Sequence, residues 1–386
     1  LNAALIRNWV KENARRIRGV WEFLHERAEV SWKETATTAF LAGELKKLGL
    51  KVQTFEDITG VIGVWEGSPT GPTVGLRADI DALWQQVDGE WKANHSCGHD
   101  AHMTMVLFAV SCLKELGWRP PGRLKVLFQP AEETGQGALA FIRKGVVDDV
   151  DLLLGIHLRP VQEVPFGKAS PAIYHGATTH LTGTVRGVQA HAARPHLGVN
   201  AVDALAAVIQ AVNSVRMNPV VPWSAKVTKV SAGGANLNII PDEAEFGLDL
   251  RAQTNEAMDD LIARVTRAVT SASRINGAEA EVREVARMAA AVPHAGMERV
   301  VTDVIKEILG EDALFPVPVS PGGEDFHFYA ARMPRLASTM IGLGAGLSPG
   351  LHHPNMSFDL KALEHGTMLL AMSAVRLFER EAELVR

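Results

Sequence analysis

The stretch "GATTHLTGTVRG", Gly176–Gly187, decides how the chain is divided. Ala177, Leu181 and Val185 share one parity, while His180, Thr182, Thr184 and Arg186 share the other. That period-2 alternation reads as a half-buried strand over 178–188. A helix follows over 199–217, then strands over 225–231 and 243–252, a helix over 255–276 and a strand over 279–286. The order β-α-β-β-α-β is the split βαβ, or ferredoxin-like, unit, which makes a complete small domain.

On either side of this block the pattern is different. Toward the amino terminus, helical periodicity runs from about Leu5 to Glu26 and through "ETATTAFLAGELKKLG", closed by Gly49. The β-type runs "VIGVWE" and "TVGLRAD" come next. A polar loop over 85–96 then leads to the apolar helix "AHMTMVLFAVSCLKELG", in which Cys112 reads as packed core. The strands "RLKVLFQP" and "VDLLLGIHL" flank a Gly-rich turn and a helix. After residue 290 come the helix "MERVVTDVIKEILG", the strand "ASTMIGLG" and a long final helix. Strand alternating with helix predicts a layered α/β sheet. The chain therefore reads as a two-part α/β domain, 1–175 and 288–386, interrupted by an inserted lid domain, 176–287.

The totals agree with that reading. A length of 386 residues is too great for one compact core. Hydrophobic residues make up 47% and charged residues 22%, ordinary for a globular protein. A net charge of -5 without a Lys/Arg-rich block argues against nucleic acid or an anionic membrane as partners. No apolar run approaches a membrane span. The first residues read as an amphipathic helix rather than a signal peptide. Two cysteines, Cys97 and Cys112, make no disulfide framework, so a cytoplasmic setting is expected.

Four clusters carry chemistry. In "HSCGHDAH", 95–102, Cys97 and His99 are two apart. On extended backbone they would share a face, with Gly98 leaving room for an ion. A thiolate and an imidazole suit zinc or a similar divalent metal, but a reactive thiol with histidine neighbours has the same signature. In "QPAEETGQG", 129–137, Glu132 and Glu133 end a strand at the edge where α/β sites gather, although a lone acid pair is usually a solvated turn. His157 ends the apolar run "LLLGIHL", where a satisfied core histidine is the plainer reading. His352 and His353 sit in the loop "SPGLHHPNMSFD", which alone would pass as surface. Together the clusters offer a thiolate, three imidazoles and one or two carboxylates. That exceeds one open tetrahedral zinc site and suits two metals sharing a bridging ligand.

At this point the motifs "LRADIDAL", "HSCGHDAH", "QPAEETGQGA", "GIHL", "AHAARPHLGVNAV", "NIIPDEAEF…LDLR", "GGEDF" and "LHHP" can be taken together. In that order they resemble the amidohydrolase branch of the aminoacylase-type di-metal metallopeptidases. That branch includes hippurate hydrolases, N-acetyl-diaminopimelate deacetylases and plant indole-acetyl-amino-acid hydrolases. The resemblance runs from "FLHERAEVSWKE" to "LHHP". It implies a layered di-metal peptidase-type catalytic domain carrying the inserted ferredoxin-like lid. It assigns Cys97, His99, Glu133, His157 and His352 as metal ligands, with Cys97 bridging. It assigns Glu132 as catalytic base, His191 as the group polarising the scissile carbonyl, and Asn238 and Arg251 as holders of the substrate carboxylate. His353 stands where relatives often have serine, which favours His352 as ligand. Asp81 and Asp100 are candidate partners that orient imidazoles.

The expected activity is hydrolysis of small N-acyl amino acids with two divalent ions per chain, zinc, manganese, cobalt or nickel. A dipeptidase or aminopeptidase of the same fold, and a metal- or thiol-sensing protein without turnover, are the alternatives. Trp84, Ala190 and Asn200 depart from the family's usual residues and bear on acyl-group preference. Lid closure about hinges near 172–177 and 286–293 is expected, and the lid sheet has edges that could pair two copies into a homodimer.

Overall fold

In the computed structural model, which describes residues 1–380 and residue 384, the strand Thr73–Asp79 is buried along its whole length. Only a strand covered on both faces and flanked on both edges can be buried in this way. It lies inside a seven-stranded sheet ordered Lys51–Thr54, Val61–Glu66, Arg123–Gln129, Thr73–Asp79, Leu152–Pro160, Ala337–Leu347 and Ala169–Ser170. The four middle strands from Arg123–Gln129 to Ala337–Leu347 are parallel. The outer strands run antiparallel to their neighbours.

Helices Ala3–His25, His99–Glu115, Ala295–Leu309 and Lys361–Glu379 pack together beside this sheet. The helix His99–Glu115 is buried from His99 through Leu113, as expected of a helix apolar on nearly every face. Cys112 lies within it, and burial pushes its thiol up to about 12, so it is core rather than a reactive group. Parallel strands place their carboxyl ends on one edge, and here those ends are Asp79, Gln129, Pro160 and Leu347. The loops that leave this edge carry the chemistry.

One local expectation fails. Residues 85–96 are not a loop: Leu83–Val87 and Glu90–Asn94 form an antiparallel hairpin. Its turn residues Asp88 and Gly89 both have positive φ, 53° and 88°. Two consecutive left-handed residues make the type I′ turn that an Asp-Gly pair favours. The polar side chains disguised the strands, because one face of the hairpin is exposed.

The chain divides into two compact units. The first comprises Leu1–Tyr174, Val292–Val319 and the chain from Asp325 onward. The second comprises His175–Ala291 and Ser320–Glu324. The second holds a four-stranded antiparallel sheet ordered Trp223–Ala232, Glu243–Ala252, Ala177–Arg186 and Glu279–Met288. Helices Ala201–Asn213 and Asn255–Ile275 bury their apolar stripes against it. Ala177–Arg186 alternates strictly between inward and outward residues, since only one face of this sheet is covered by helices. Ser320–Glu324 clusters here because Gly176 N–H donates to the Ser320 carbonyl and Gly323 lies close against Met288 and Thr178.

Candidate metal centre

Cys97 and His99 do converge, but not by alternation along a strand. Gly98 between them has φ +87° and is the N-cap of the helix that begins at His99. A Cβ at Gly98 would lie 2.9 Å from Leu158 Cδ1. The glycine is therefore needed for a left-handed bend and a close approach to the His157 strand, not to leave space for an ion. The Cys97 Sγ is 3.7 Å from His157 Nε2.

The two acids arrive through a second left-handed residue. The Arg123–Gln129 strand ends, and Ala131, wholly buried with φ 53°, turns the chain before Glu132 and Glu133. His99 Nε2 is 3.9 Å from both Glu132 Oε2 and Glu133 Oε1. His352, also left-handed at φ 64°, closes the ring, with Nε2 3.4 Å from Glu133 Oε1. Its backbone is held on both sides: its N–H donates to the Ser96 carbonyl, and its carbonyl accepts from Gln85 Nε2. Non-glycine residues at positive φ persist only where surrounding contacts fix them, and such strain gathers at functional sites.

These side chains form three overlapping groups, each with its donor atoms within 4.8 Å of one another: Cys97, His99 and His157; Cys97, Glu133 and His352; His99, Glu132 and Glu133. Cys97 belongs to the first two, the position a bridging ligand would take. His99 Nε2 and Glu133 Oε1 are buried without a hydrogen-bond partner. Buried polar atoms are normally satisfied, so this pair fits cations among the donors. The other ring nitrogens of His99 and His157 are occupied. His99 Nδ1 lies 2.9 Å from the Asp81 carbonyl and 3.2 Å from its Oδ1, and His157 Nδ1 lies 2.7 Å from the Leu158 carbonyl. Each arrangement fixes the tautomer that leaves Nε2 for a metal. The donor set supports two divalent ions.

The electrostatics tell the same story. Burial opposes a charge on His99, but Asp79, Cys97 and Asp81 outweigh it and raise its pKa well above the usual value. The neighbouring Cys97 and Glu133 side chains push His352 up to about 10. Burial, and then Glu133, push the Cys97 thiol up. His157, buried beside His102, is held well below the usual value and so neutral. A pocket that draws protons onto His99 and His352 is one that cations would fill instead.

His102, Asp79, Arg77 and Asp325 were not singled out from sequence. His102 follows His99 by three residues, one helical turn, and that spacing was the available signal. Its Nδ1 lies 2.7 Å from Asp79 Oδ1, and its Nε2 accepts from Leu158 N–H at 3.0 Å. With both nitrogens in use, His102 pins the strand bearing His157 instead of supplying a ligand. Arg77, wholly buried, donates to Asp79 Oδ2 and Asp325 Oδ1, each at 2.8 Å. Asp325 N–H in turn reaches Glu132 Oε1 at 3.4 Å. Asp81 orients an imidazole as expected. Asp100 does not: its Oδ2 lies 2.7 Å from His25 Nδ1, which is outside the donor set. At the first turn of the helix its carboxylate faces back toward the Ala3–His25 helix.

The remaining three candidates lie in the second unit. His191, exposed, sits in a two-residue strand paired with Ile239–Ile240. Ala192 N–H donates to the Asn238 carbonyl, so His191 and Asn238 line one open concavity of about 560 Å³ with Gln189, Ala190, Asn236 and Ile239. Arg251 is not part of that lining. Its Nε and Nη2 donate to Asp249 Oδ1 and Oδ2 at 2.9 and 3.0 Å, and its Nη1 donates to the Pro321 carbonyl.

Comparison with known proteins follows the same lines. The model of "Peptidase family M20/M25/M40" matches residues 75–376. An IAA-amino acid hydrolase of Arabidopsis thaliana is 30% identical, over 93% of this chain and 84% of its own length. An N-acetyl-L-cysteine deacetylase of Bacillus subtilis is 29% identical, over 95% of this chain and 89% of its own. Among solved structures, a dinuclear metal binding peptidase of Bacillus subtilis superposes with a TM-score of 0.82 at 24% identity, over 96% of this chain and 99% of that one. The mixed α/β fold is thus shared with these neighbours.

Proposed function

The chain belongs to peptidase family M20/M25/M40, and from that premise we propose that it is a metal-dependent amidohydrolase cleaving N-acyl amino acids to a carboxylic acid and a free amino acid. The observation that carries this reading is Glu132. It is 5% exposed, with Oε2 3.9 Å from His99 Nε2, and we read it as the carboxylate left for the water once Cys97, His99, Glu133, His157 and His352 serve as ligands. A protein that only holds or senses metal has no use for such a carboxylate. The N-acyl amino acid class is supported by the relatives that act on IAA-amino acids and on N-acetyl-L-cysteine.

Cys97, His99, Glu133, His157 and His352 would hold two divalent ions, zinc, manganese, cobalt or nickel, which would supply Lewis acidity and make a water acidic enough to ionise near neutral pH. Glu132 takes the proton of the attacking water and passes it to the leaving amine. His191 donates a hydrogen bond to the developing oxyanion, a role worth about 2.7–4 kcal/mol where it has been measured. Asn238 and Arg251 hold the amino-acid carboxylate, with Arg251 exchanging Asp249 for the substrate in a two-pronged pair.

The test pairs metal analysis of the purified protein with a panel of N-acetyl-, N-benzoyl- and indole-acetyl-amino acids and free dipeptides. Glu132→Gln should keep its metal and lose at least about 10²-fold in kcat. Cleavage of free dipeptides alone would make the protein a dipeptidase. No amide cleaved with metal bound would make it a binding protein.

A further inference from the structure

The turn that presents Glu132 and Glu133 is held by a residue far away in sequence. We propose that Glu34 is a positioning residue for this carboxylate pair, its buried side chain capturing the Ala131 N–H and keeping the chain in the left-handed turn that aims both acids into the site. The inference rests on the reading of Glu132 as base and Glu133 as ligand.

Glu34 is wholly buried. Its Oε1 accepts from Ala131 N–H at 2.9 Å across 97 residues, and its Oε2 accepts from Thr59 Oγ1 at 2.5 Å. Among the described residues no cation pairs with it, and burial raises its pKa. A carboxylate kept inside a protein on two neutral donors is an expensive device for packing alone. Nor does it cap its own helix. Glu34 is the N-cap residue of Thr35–Lys47 but makes no side-chain capping bond. The Glu29 carboxylate takes Ala36 N–H and Thr37 N–H instead. Glu34 is thus free to reach the turn.

At the turn, Ala131 has what an alanine rarely has, φ 53° with no exposure. Its carbonyl accepts from Gly137 N–H and from Thr134 Oγ1, which the following turn supplies. Its N–H has Glu34, and without that acceptor a buried donor would be orphaned on strained backbone. The next two residues are gripped from other elements: Glu132 Oε1 by Asp325 N–H, and Glu133 N–H by Asp81 Oδ2. Three consecutive residues are each tied to a different segment, and Glu34 holds the first, where the strain lies.

The experiment compares Glu34→Ala, Glu34→Gln and Glu34→Ala combined with Ala131→Gly. The readouts are kcat, KM and the visible spectrum of the cobalt-substituted protein. Glu34→Ala should lower kcat by about 10–100-fold with KM little changed, and alter the cobalt spectrum, since Glu133 moves with the turn. Glu34→Gln keeps an oxygen for Ala131 N–H and should restore most of both. Ala131→Gly, which accepts positive φ without strain, should recover part of what Glu34→Ala loses. A merely structural Glu34 would give no such recovery. If Glu34→Ala does not fold, Thr59→Val frees Oε2 while leaving the carboxylate, and should lower kcat and alter the spectrum in the same sense.

A wild-type cobalt spectrum and kcat in Glu34→Ala, or in Thr59→Val where that variant is used, overturn the proposal. So does the absence of rescue by Ala131→Gly. A fully active Glu132→Gln would instead overturn the catalytic reading, and the cobalt spectrum would still decide whether Glu34 positions the turn.

Discussion

Asp81→Asn separates orientation of the ligands from their mere presence. Asp81 meets three donors with two carboxylate oxygens. Oδ1 lies 3.2 Å from His99 Nδ1, and Oδ2 accepts from Ser31 Oγ at 2.6 Å and from Glu133 N–H at 3.1 Å. Although burial opposes its charge, His99 holds its carboxyl below the usual range, so it is ionised at neutral pH. Asparagine offers one oxygen and an NH2 group. If the oxygen stays on Ser31 and Glu133, the NH2 faces His99 Nδ1 and competes with the Asp81 carbonyl, 2.9 Å from the same nitrogen, in setting the tautomer. If it turns over, the NH2 meets the Glu133 N–H, which cannot rotate away. Leaving one buried donor unpaired costs about 1–3 kcal/mol. Loss of an orienting partner weakens metal binding by about 10–100-fold, or about 1.4–2.7 kcal/mol. The two routes agree. The assay is a competition titration of the metal-free protein with zinc against a chromophoric chelator. Ser31→Ala, which removes one donor and leaves the carboxylate, is the control. Zinc binding by Asp81→Asn indistinguishable from wild type would refute the claim that the Asp81 carboxylate orients His99 and Glu133.

Further expectations concern the buried network around the site. Arg77→Met leaves Asp79 and Asp325 facing each other without their cation, and should destabilise the protein by about 3–5 kcal/mol in urea unfolding; a loss below about 1 kcal/mol would show that the pair is not what neutralises them. His102→Ala orphans Leu158 N–H next to His157 and should weaken metal binding about 10-fold, with His102→Gln recovering part because its amide oxygen can accept the same N–H. Equal metal affinity in all three proteins would remove His102 from the account. Burial, and then Arg77, hold His327 at about 3, below its unfolded value near 6.5. Between those values the unfolded chain takes up a proton that the folded chain refuses, so this contribution is present above pH 6.5 and is lost as pH falls toward 3. At about 1.4 kcal/mol per pH unit, moving from pH 6.5 to 5 should cost the wild type about 2 kcal/mol that His327→Phe does not lose, and parallel pH profiles for the two would count against it.

The sequence by itself determined what depends on short-range pattern. Alternation in Ala177–Arg186 and the element order around it specify the antiparallel unit with its two helices, because period and propensity are local properties. The types of residue able to hold metal were equally legible, since thiolate, imidazole and carboxylate chemistry does not depend on the fold. Local pattern failed where a turn decided the outcome. Gly98 and the Asp88–Gly89 pair set backbone directions that side-chain polarity concealed.

The tertiary structure alone decided who orients whom. Asp100 turned to His25, Asp81 took His99 and Glu133, and Glu34 crossed the chain to Ala131. Such pairings follow from strand order and register, which bring distant segments to one sheet edge. A buried carboxylate must then take whatever donors that edge presents, and no local pattern in the chain names them.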